Sequence, residues 1–259
     1  MAAPFSAPEA KEYLERFLGC QLPDEVDLSL EDAWYETGEC DFSLYGKEEY
    51  LNYLLKAHIE SRDHAYLAVQ FLKLFGIEPQ SLIDTGCGLG FFGALMATEF
   101  PNCRVVATNL PGRQFEFNTW LYQELGLPNL EIRIATEVAE HFDFVLSLEY
   151  FEHYKEPDQE VARMVEVYKP NYLIESSSFT HRGLGHFSTY NMGGTPYAGP
   201  HDKKGAGPAF RQFTKCLKAA GFERIPLKKD NWNHSRPRLW KRVEEAPLPE
   251  DDVLEMFGV

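Results

Sequence analysis

The stretch SLIDTGCGLGFFGALM, residues 81–96, constrains the fold more than any other part of the chain. A short apolar run ends in an acid, Asp84, and three glycines follow at alternate positions, Gly86, Gly88 and Gly90, with Gly93 beyond them. Glycines at this spacing let a backbone turn sharply through left-handed conformations and leave it bare towards a ligand. The next segment, FFGALMATEF, is helical in pattern. The unit is therefore strand, glycine turn, helix, and the free N–H groups of the helix's first turn face whatever lies over the turn.

The same alternation continues downstream. CRVVATNL is a strand rich in β-branched residues, GRQFEFNTWLYQELG an amphipathic helix, and LEIRIA a strand. HFDFVLSLEY reads as a strand, PDQEVARMVEVY as a helix and NYLIESSSF as a fifth strand. Strands and helices that alternate through short connections make a parallel sheet covered on both faces. A long glycine-rich segment, THRGLGHFSTYNMGGTPYAGPHDKKGAG, follows with neither strand nor helix period and reads as a loop. PAFRQFTKCLKAAGF returns to helix, and ERIPLKK and SRPRLWKRV, separated by the turn-rich DNWNH, predict an antiparallel hairpin. Upstream, APEAKEYLERFLG is a helix stopped by Gly19. KEEYLNYLLKAHIESRDHAYLAVQFLKLFG reads as two helices closed by Gly76 and Pro79. These shifts divide the chain into an N-terminal helical cap or lid (1–78), a ligand-binding α/β domain (79–242) and an acidic extension (243–259).

Composition narrows the class. Of 259 residues, 44% are apolar, enough for a substantial core. No apolar run reaches the roughly 20 residues that span a bilayer, and the N-terminus lacks the basic start and apolar stretch of a secretory signal. Five scattered cysteines without a C-x-x-C pair predict reduced thiols and a cytoplasmic protein. The net charge of −15 opposes non-specific binding to nucleic acid. Lys and Arg concentrate in residues 200–242 and acids in residues 1–80. Pairing between these regions is preferred over steering of an anionic ligand. Oligomeric state is not legible.

The glycine turn fits two patterns. Gly88, Gly90 and Gly93 satisfy the dinucleotide pattern G-x-G-x-x-G. Asp84, Gly86, Gly88 and Gly90 satisfy D-x-G-x-G-x-G. A carboxylate just before the turn would repel a pyrophosphate but suits a cationic ligand. The second pattern resembles motif I of the class I S-adenosylmethionine (SAM)-dependent methyltransferases, and the order of elements, strand–helix units and then a hairpin, agrees over residues 80–242. The resemblance implies an α/β fold: a seven-stranded, Rossmann-like methyltransferase sheet with helices on both faces beneath the N-terminal cap. It implies SAM as cofactor, held by Asp84, Gly86, Cys87, Gly88 and Gly90 in the turn, Asn109 and Leu110 after the second strand, Thr136 and Glu137 after the third, and Ser147 ending the fourth. One residue departs from the family. An acid usually binds both ribose hydroxyls at the end of the second strand; here Asn109 offers an uncharged amide.

The segment LSLEYFEHYKEP places Glu149, Glu152 and His153 where ligands meet the carboxyl ends of parallel strands. It resembles the E-x-x-E-H segment of small-molecule O-methyltransferases and, more distantly, of small-RNA 2′-O-methyltransferases. In a helical turn the three side chains share one face. Three roles follow. Glu149, Glu152 and His153, with His181 from the loop after the fifth strand (or His186 or His201), would hold Mg²⁺, Mn²⁺ or Zn²⁺. Alternatively His153, with Glu149, would act as a catalytic base without a metal. Or the acids simply suit a helix N-terminus. Arg62, Asp63 and His64 on the preceding helix are lid candidates, and Tyr190, Asn191, Tyr197 and His201 lie where a substrate pocket is built. The function implied is methyl transfer from SAM to an oxygen, or a nitrogen, of a small-molecule substrate. Metal-assisted methylation of an RNA end and a non-catalytic SAM-fold binding protein, prompted by Asn109, are the alternatives.

Overall fold

The computed structural model describes residues 5–23, 48–180, 183–199, 207–226 and 237–243. The DNWNH turn, the acidic extension from residue 244, His181 and His201 lie outside the described residues. Two helices come first, α1 (Ala7–Leu18) and α2 (Glu48–Leu74). Next are β1 (Ser81–Asp84), α3 (Phe91–Glu99), β2 (Arg104–Asn109), α4 (Arg113–Leu125), β3 (Leu130–Ile134), β4 (Phe144–Ser147), α5 (Pro157–Tyr168) and β5 (Tyr172–Glu175). A small hairpin, β6 (Thr189–Met192) with β7 (Thr195–Ala198), precedes α6 (Pro208–Ala219), β8 (Phe222–Arg224) and β9 (Arg238–Arg242).

Seven strands form one sheet in the order β3-β2-β1-β4-β5-β9-β8, and β6 pairs only with β7. The four pairings among β1 to β5 are parallel, whereas β9 runs antiparallel to both β5 and β8. The expected seven-stranded α/β sheet is thus present. Its inner strands are buried on both faces, which is why they read as unbroken apolar runs rather than alternating ones. Ile83, Val106, Val145 and Leu173 face α5 and α6; their neighbours Leu82, Val105, Phe144 and Ile174 face α2 and α3. Each such fully buried side chain stabilises the fold by about 1.5–3 kcal/mol relative to exposure.

Two sequence expectations need correction. The long upstream segment is one helix of 27 residues, not two. Neither Gly nor Pro interrupts it, and the hydroxyl of Ser61 donates back to the Ala57 carbonyl at 2.8 Å. The turns on its C-terminal side bury Ala65, Ala68, Val69, Phe71 and Leu72 in the same cluster as the sheet. The glycine-rich segment, in turn, is not only loop. Gly193 and Gly194, both at positive φ (57° and 71°), close the β6–β7 hairpin. Two left-handed residues in a two-residue connection match the twist of the flanking strands, a preference that a glycine pair satisfies. The hairpin is fixed on α5 through the Gly193 N–H, which donates to Asp158 Oδ2 at 2.7 Å. No helix among the described residues is long and apolar enough to cross a membrane.

Candidate active site

Because β1, β2, β4 and β5 run in the same direction, their carboxyl ends form one edge of the sheet, and the predicted residues gather there. At the end of β1, Thr85 Oγ1 lies 2.6 Å from Ser147 Oγ, which joins β1 to β4 beneath the surface. The turn then passes through Gly86, Gly88 and Gly90 at φ 61°, 54° and 77°. It is tied down by the Cys87 N–H to the Thr108 carbonyl (2.9 Å) and the Gly90 N–H to the Cys87 carbonyl (2.8 Å). A Cβ at Gly86 would stand 2.6 Å from the Tyr150 ring, so that ring packs directly against the turn. A Cβ at Gly88 would meet nothing within 4 Å, leaving an open approach to bare backbone.

Asp84 sits under this turn, 2% exposed. The Gly93 N–H faces its carboxyl, yet Oδ2 is buried without a hydrogen-bond partner. Burial pushes the carboxyl up to about 7, and the Gly93 N–H only partly opposes the rise. A buried acceptor with nothing to accept from, beneath an open glycine turn, fits a ligand that brings positive charge. At the end of β2, Asn109 is turned inwards. Its Nδ2 donates to the Gly88 carbonyl (3.0 Å), Asn118 Oδ1 (3.1 Å) and Gln114 Oε1 (3.2 Å), and its Oδ1 accepts from the Leu110 N–H at 2.9 Å. Leu110 is exposed beside the turn, and Thr136 and Glu137 are exposed in a 3-10 turn after β3.

The E-x-x-E-H segment is not the start of a helix. Glu149 takes a left-handed conformation (φ 50°), Phe151–His153 form a single 3-10 turn, and α5 begins at Pro157. This geometry brings the two carboxyls together and sets the imidazole against His186. Glu149 Oε1 accepts from Ser176 Oγ at 2.9 Å and lies 3.2 Å from His64 Nδ1. Glu152 is fully buried, and its Oε1 accepts from the Ser178 N–H at 2.8 Å. Burial raises both carboxyls well above the ordinary range. Their mutual hydrogen bond splits them, holding a proton on Glu152 and leaving Glu149, 29% of whose side chain stays accessible, to ionise first. His153 stands edge-on to His186, with ring centroids 5.0 Å apart, and the backbone of Gly185 and Glu149 holds it. Burial, and then His186, push it down to about 3, so it is neutral.

Of the expected metal set, His181 lies outside the described residues. Among the described residues no group of three or more His, Cys, Asp or Glu is placed to hold an ion. The carboxyls are occupied with each other, with serines and with His64, and His153 is held by the backbone of Gly185 and Glu149. Of the lid candidates, His64 reaches the site from α2, Asp63 is exposed, and the side chain of Arg62 is outside the described residues. Sequence reasoning missed Ser176 and Ser178, although a serine run directly after an apolar strand was the available signal. It also missed Gln114, Asn118 and Tyr122, polar residues repeating every fourth position along α4.

Comparison with known proteins agrees with this architecture. A family model described as a methyltransferase domain matches residues 59–227. (S)-coclaurine N-methyltransferase from Papaver somniferum is 28% identical over 109 residues, 40% of this chain and 31% of that protein. Ribosomal RNA small subunit methyltransferase G from Mycoplasma capricolum is 30% identical over 89 residues, 32% of this chain and 38% of that protein. The chain thus spans about a third of the length of these curated relatives. Among solved structures, an O-methyltransferase family protein from Burkholderia thailandensis superposes with a TM-score of 0.55 at 13% identity, over 77% of this chain and 62% of that one. Magnesium protoporphyrin IX methyltransferase from Synechocystis PCC 6803, solved with bound S-adenosylhomocysteine, gives 0.50 at 16% identity, over 83% and 99%. At these identities the two structures speak for the fold alone. With the family match covering most of the chain and the sheet order and glycine turn described above, the protein belongs to the class I S-adenosylmethionine-dependent methyltransferase family.

Proposed function

We propose that the protein transfers the methyl group of SAM to a proton-bearing nitrogen or oxygen of a small molecule, with Glu149 as the proton acceptor. The observation that carries this reading is the Glu149–Glu152 carboxyl pair beside the glycine turn, with His64 on its open side. When bound, SAM supplies an electrophilic methyl on a sulfonium. The turn from Asp84 to Gly90, with Leu110, Thr136, Glu137 and Ser147 around it, would hold the donor; Asp84 would face its positive charge. Glu149 takes the proton from the acceptor heteroatom, before attack for a protonated amine and during it for a hydroxyl, and the freed lone pair forms the bond to the methyl carbon as the carbon–sulfur bond breaks. Glu152 keeps its own proton and donates to Glu149, which tunes Glu149 into the range where a base works at neutral pH. His64 and Ser176 fix the orientation of the Glu149 carboxyl, and the neutral His153 shapes the wall with His186.

The anionic setting favours an amine, which arrives as a cation, and the partial likeness to an N-methyltransferase acting on coclaurine supports a small-molecule acceptor. The RNA-end reading leaned on a metal set that the described residues do not form. The test is transfer of a labelled methyl group from SAM to a panel of small amines and phenols, with calorimetry for SAM itself. Glu149→Gln is expected to lower turnover by about 10²–10⁴-fold while SAM affinity stays within about twofold. Wild-type turnover should fall as pH drops below neutral and Glu149 takes up a proton. Unchanged turnover in Glu149→Gln refutes the base; absence of SAM binding refutes the activity.

A further inference from the structure

The residue at the end of β2 does work that its position alone does not suggest. Asn109 is 7% exposed, and every polar atom of its amide is committed. The orientation of the amide follows from backbone partners whose roles are fixed: the Gly88 carbonyl can only accept and the Leu110 N–H can only donate, at 3.0 and 2.9 Å. Nδ2 therefore points at the glycine turn and Oδ1 at the backbone of Leu110. The remaining contacts of Nδ2, with Gln114 Oε1 and Asn118 Oδ1, come from α4. One turn further along α4, the Tyr122 hydroxyl donates to the Gly90 carbonyl at 3.0 Å. Cys87 Sγ completes the knot, 3.6 Å from Asn118 Oδ1. Gln114, Asn118 and Tyr122 are spaced by four and lie on one face of the helix. A Cβ at Gly90 would stand 2.6 Å from Asn118 Nδ2 and 2.7 Å from the Tyr122 hydroxyl, so this face meets the turn without a gap.

We infer that Asn109 is a positioning residue that, with the polar face of α4, braces the glycine turn, and that the ribose of the methyl donor is held without it. This deepens the SAM reading and rests on it for the ribose. An aspartate would be a worse residue here. Its carboxylate would replace a donor with an oxygen facing the Gly88 carbonyl, which can only accept, in a buried setting, and Gln114 and Asn118 would have to reverse their amides to meet it. Restoring the acid usual in the family should therefore weaken donor binding, by disordering the turn, rather than strengthen it.

Two measurements test this, on Asn109→Asp and on the milder Tyr122→Phe, which keeps the ring and loses the bond to Gly90. Hydrogen exchange of the ligand-free protein should show faster exchange of residues 85–91 in both variants, by roughly fivefold per hydrogen bond lost. Calorimetry should show each variant weakening SAM and its 2′-deoxyribose analogue by the same factor, within about twofold. Unchanged exchange across the turn in both variants overturns the brace. A loss in Asn109→Asp confined to SAM, or a gain in affinity, overturns the claim about the ribose. Failure of the wild type to bind SAM defeats the donor reading and with it the ribose claim, while the exchange measurement still decides the brace.

Discussion

Replacing Asp84 with asparagine separates what the site costs from what it provides. Burial at 2% exposure moves the carboxyl from an ordinary 3.8 up to about 7. The native protein therefore binds this proton more tightly than the unfolded chain does. With the folded value raised, the stabilising proton is fully in place below pH 4, and stability falls as pH rises from about 4 through about 7, then levels off. A gap of about 3 pH units at about 1.4 kcal/mol per unit amounts to about 4 kcal/mol across that window. Asp84→Asn keeps the shape and cannot ionise, so its stability relative to wild type should climb by about that amount between pH 4 and pH 8. Any fixed penalty of the substitution cancels in the comparison. Urea titrations of the ligand-free proteins at half-unit pH steps would read this directly. The charge that costs stability is also what a cationic donor needs. Wild-type affinity for SAM should accordingly weaken about tenfold per pH unit below 7, and that dependence should vanish in the variant. Parallel stability curves, together with wild-type affinity for SAM in Asp84→Asn, would refute the reasoning.

Arg238→Met should destabilise the protein by about 3–5 kcal/mol, because it strands Glu175, fully buried at the end of β5, without its ion pair (Nη2 to Oε2 2.7 Å). Adding Glu175→Leu should recover most of that loss in chemical denaturation, and no recovery would argue against an electrostatic cause. Gly86→Ala puts a methyl 2.6 Å from the Tyr150 ring at a φ of 61°. Calorimetry should show SAM binding at least about tenfold weaker, from about 1–2 kcal/mol of backbone strain plus displacement of the ring, and wild-type affinity would mean that Tyr150 yields freely.

The strands and the helices that follow them were legible because each is a run of one period bounded by Gly, Pro or an acid: PDQEVARMVEVY is α5 residue for residue. The glycine turn was legible for the same reason, since few backbones need Gly86, Gly88 and Gly90 together. What the sequence could not convey depends on which way a side chain faces. The E-x-x-E-H spacing suggested convergence on a helix face, but the left-handed Glu149 breaks that helix before it begins. The two acids meet across a 3-10 turn, and His153 goes to His186. Nothing in a linear reading pairs His64 with Glu149, because the contact joins the middle of a long helix to the end of a strand 85 positions away. For Asn109 the position was legible and the rotamer, which turns the amide inwards to Gly88 and Leu110, was not. The α2 segment reads as two helices although no Gly or Pro divides it, and it is one.

The placement of β9 has a consequence for biosynthesis. Although β9 follows β8 in the chain, it lies between β5 and β8 in the sheet. Glu175 must therefore wait for Arg238, 63 residues later, to emerge from the ribosome before its charge is neutralised. Until then β5 offers a bare edge to any neighbouring chain, with a carboxylate that has no place in an apolar interior. A message cut short upstream of that arginine would yield a polypeptide carrying the whole glycine turn yet unable to close its sheet.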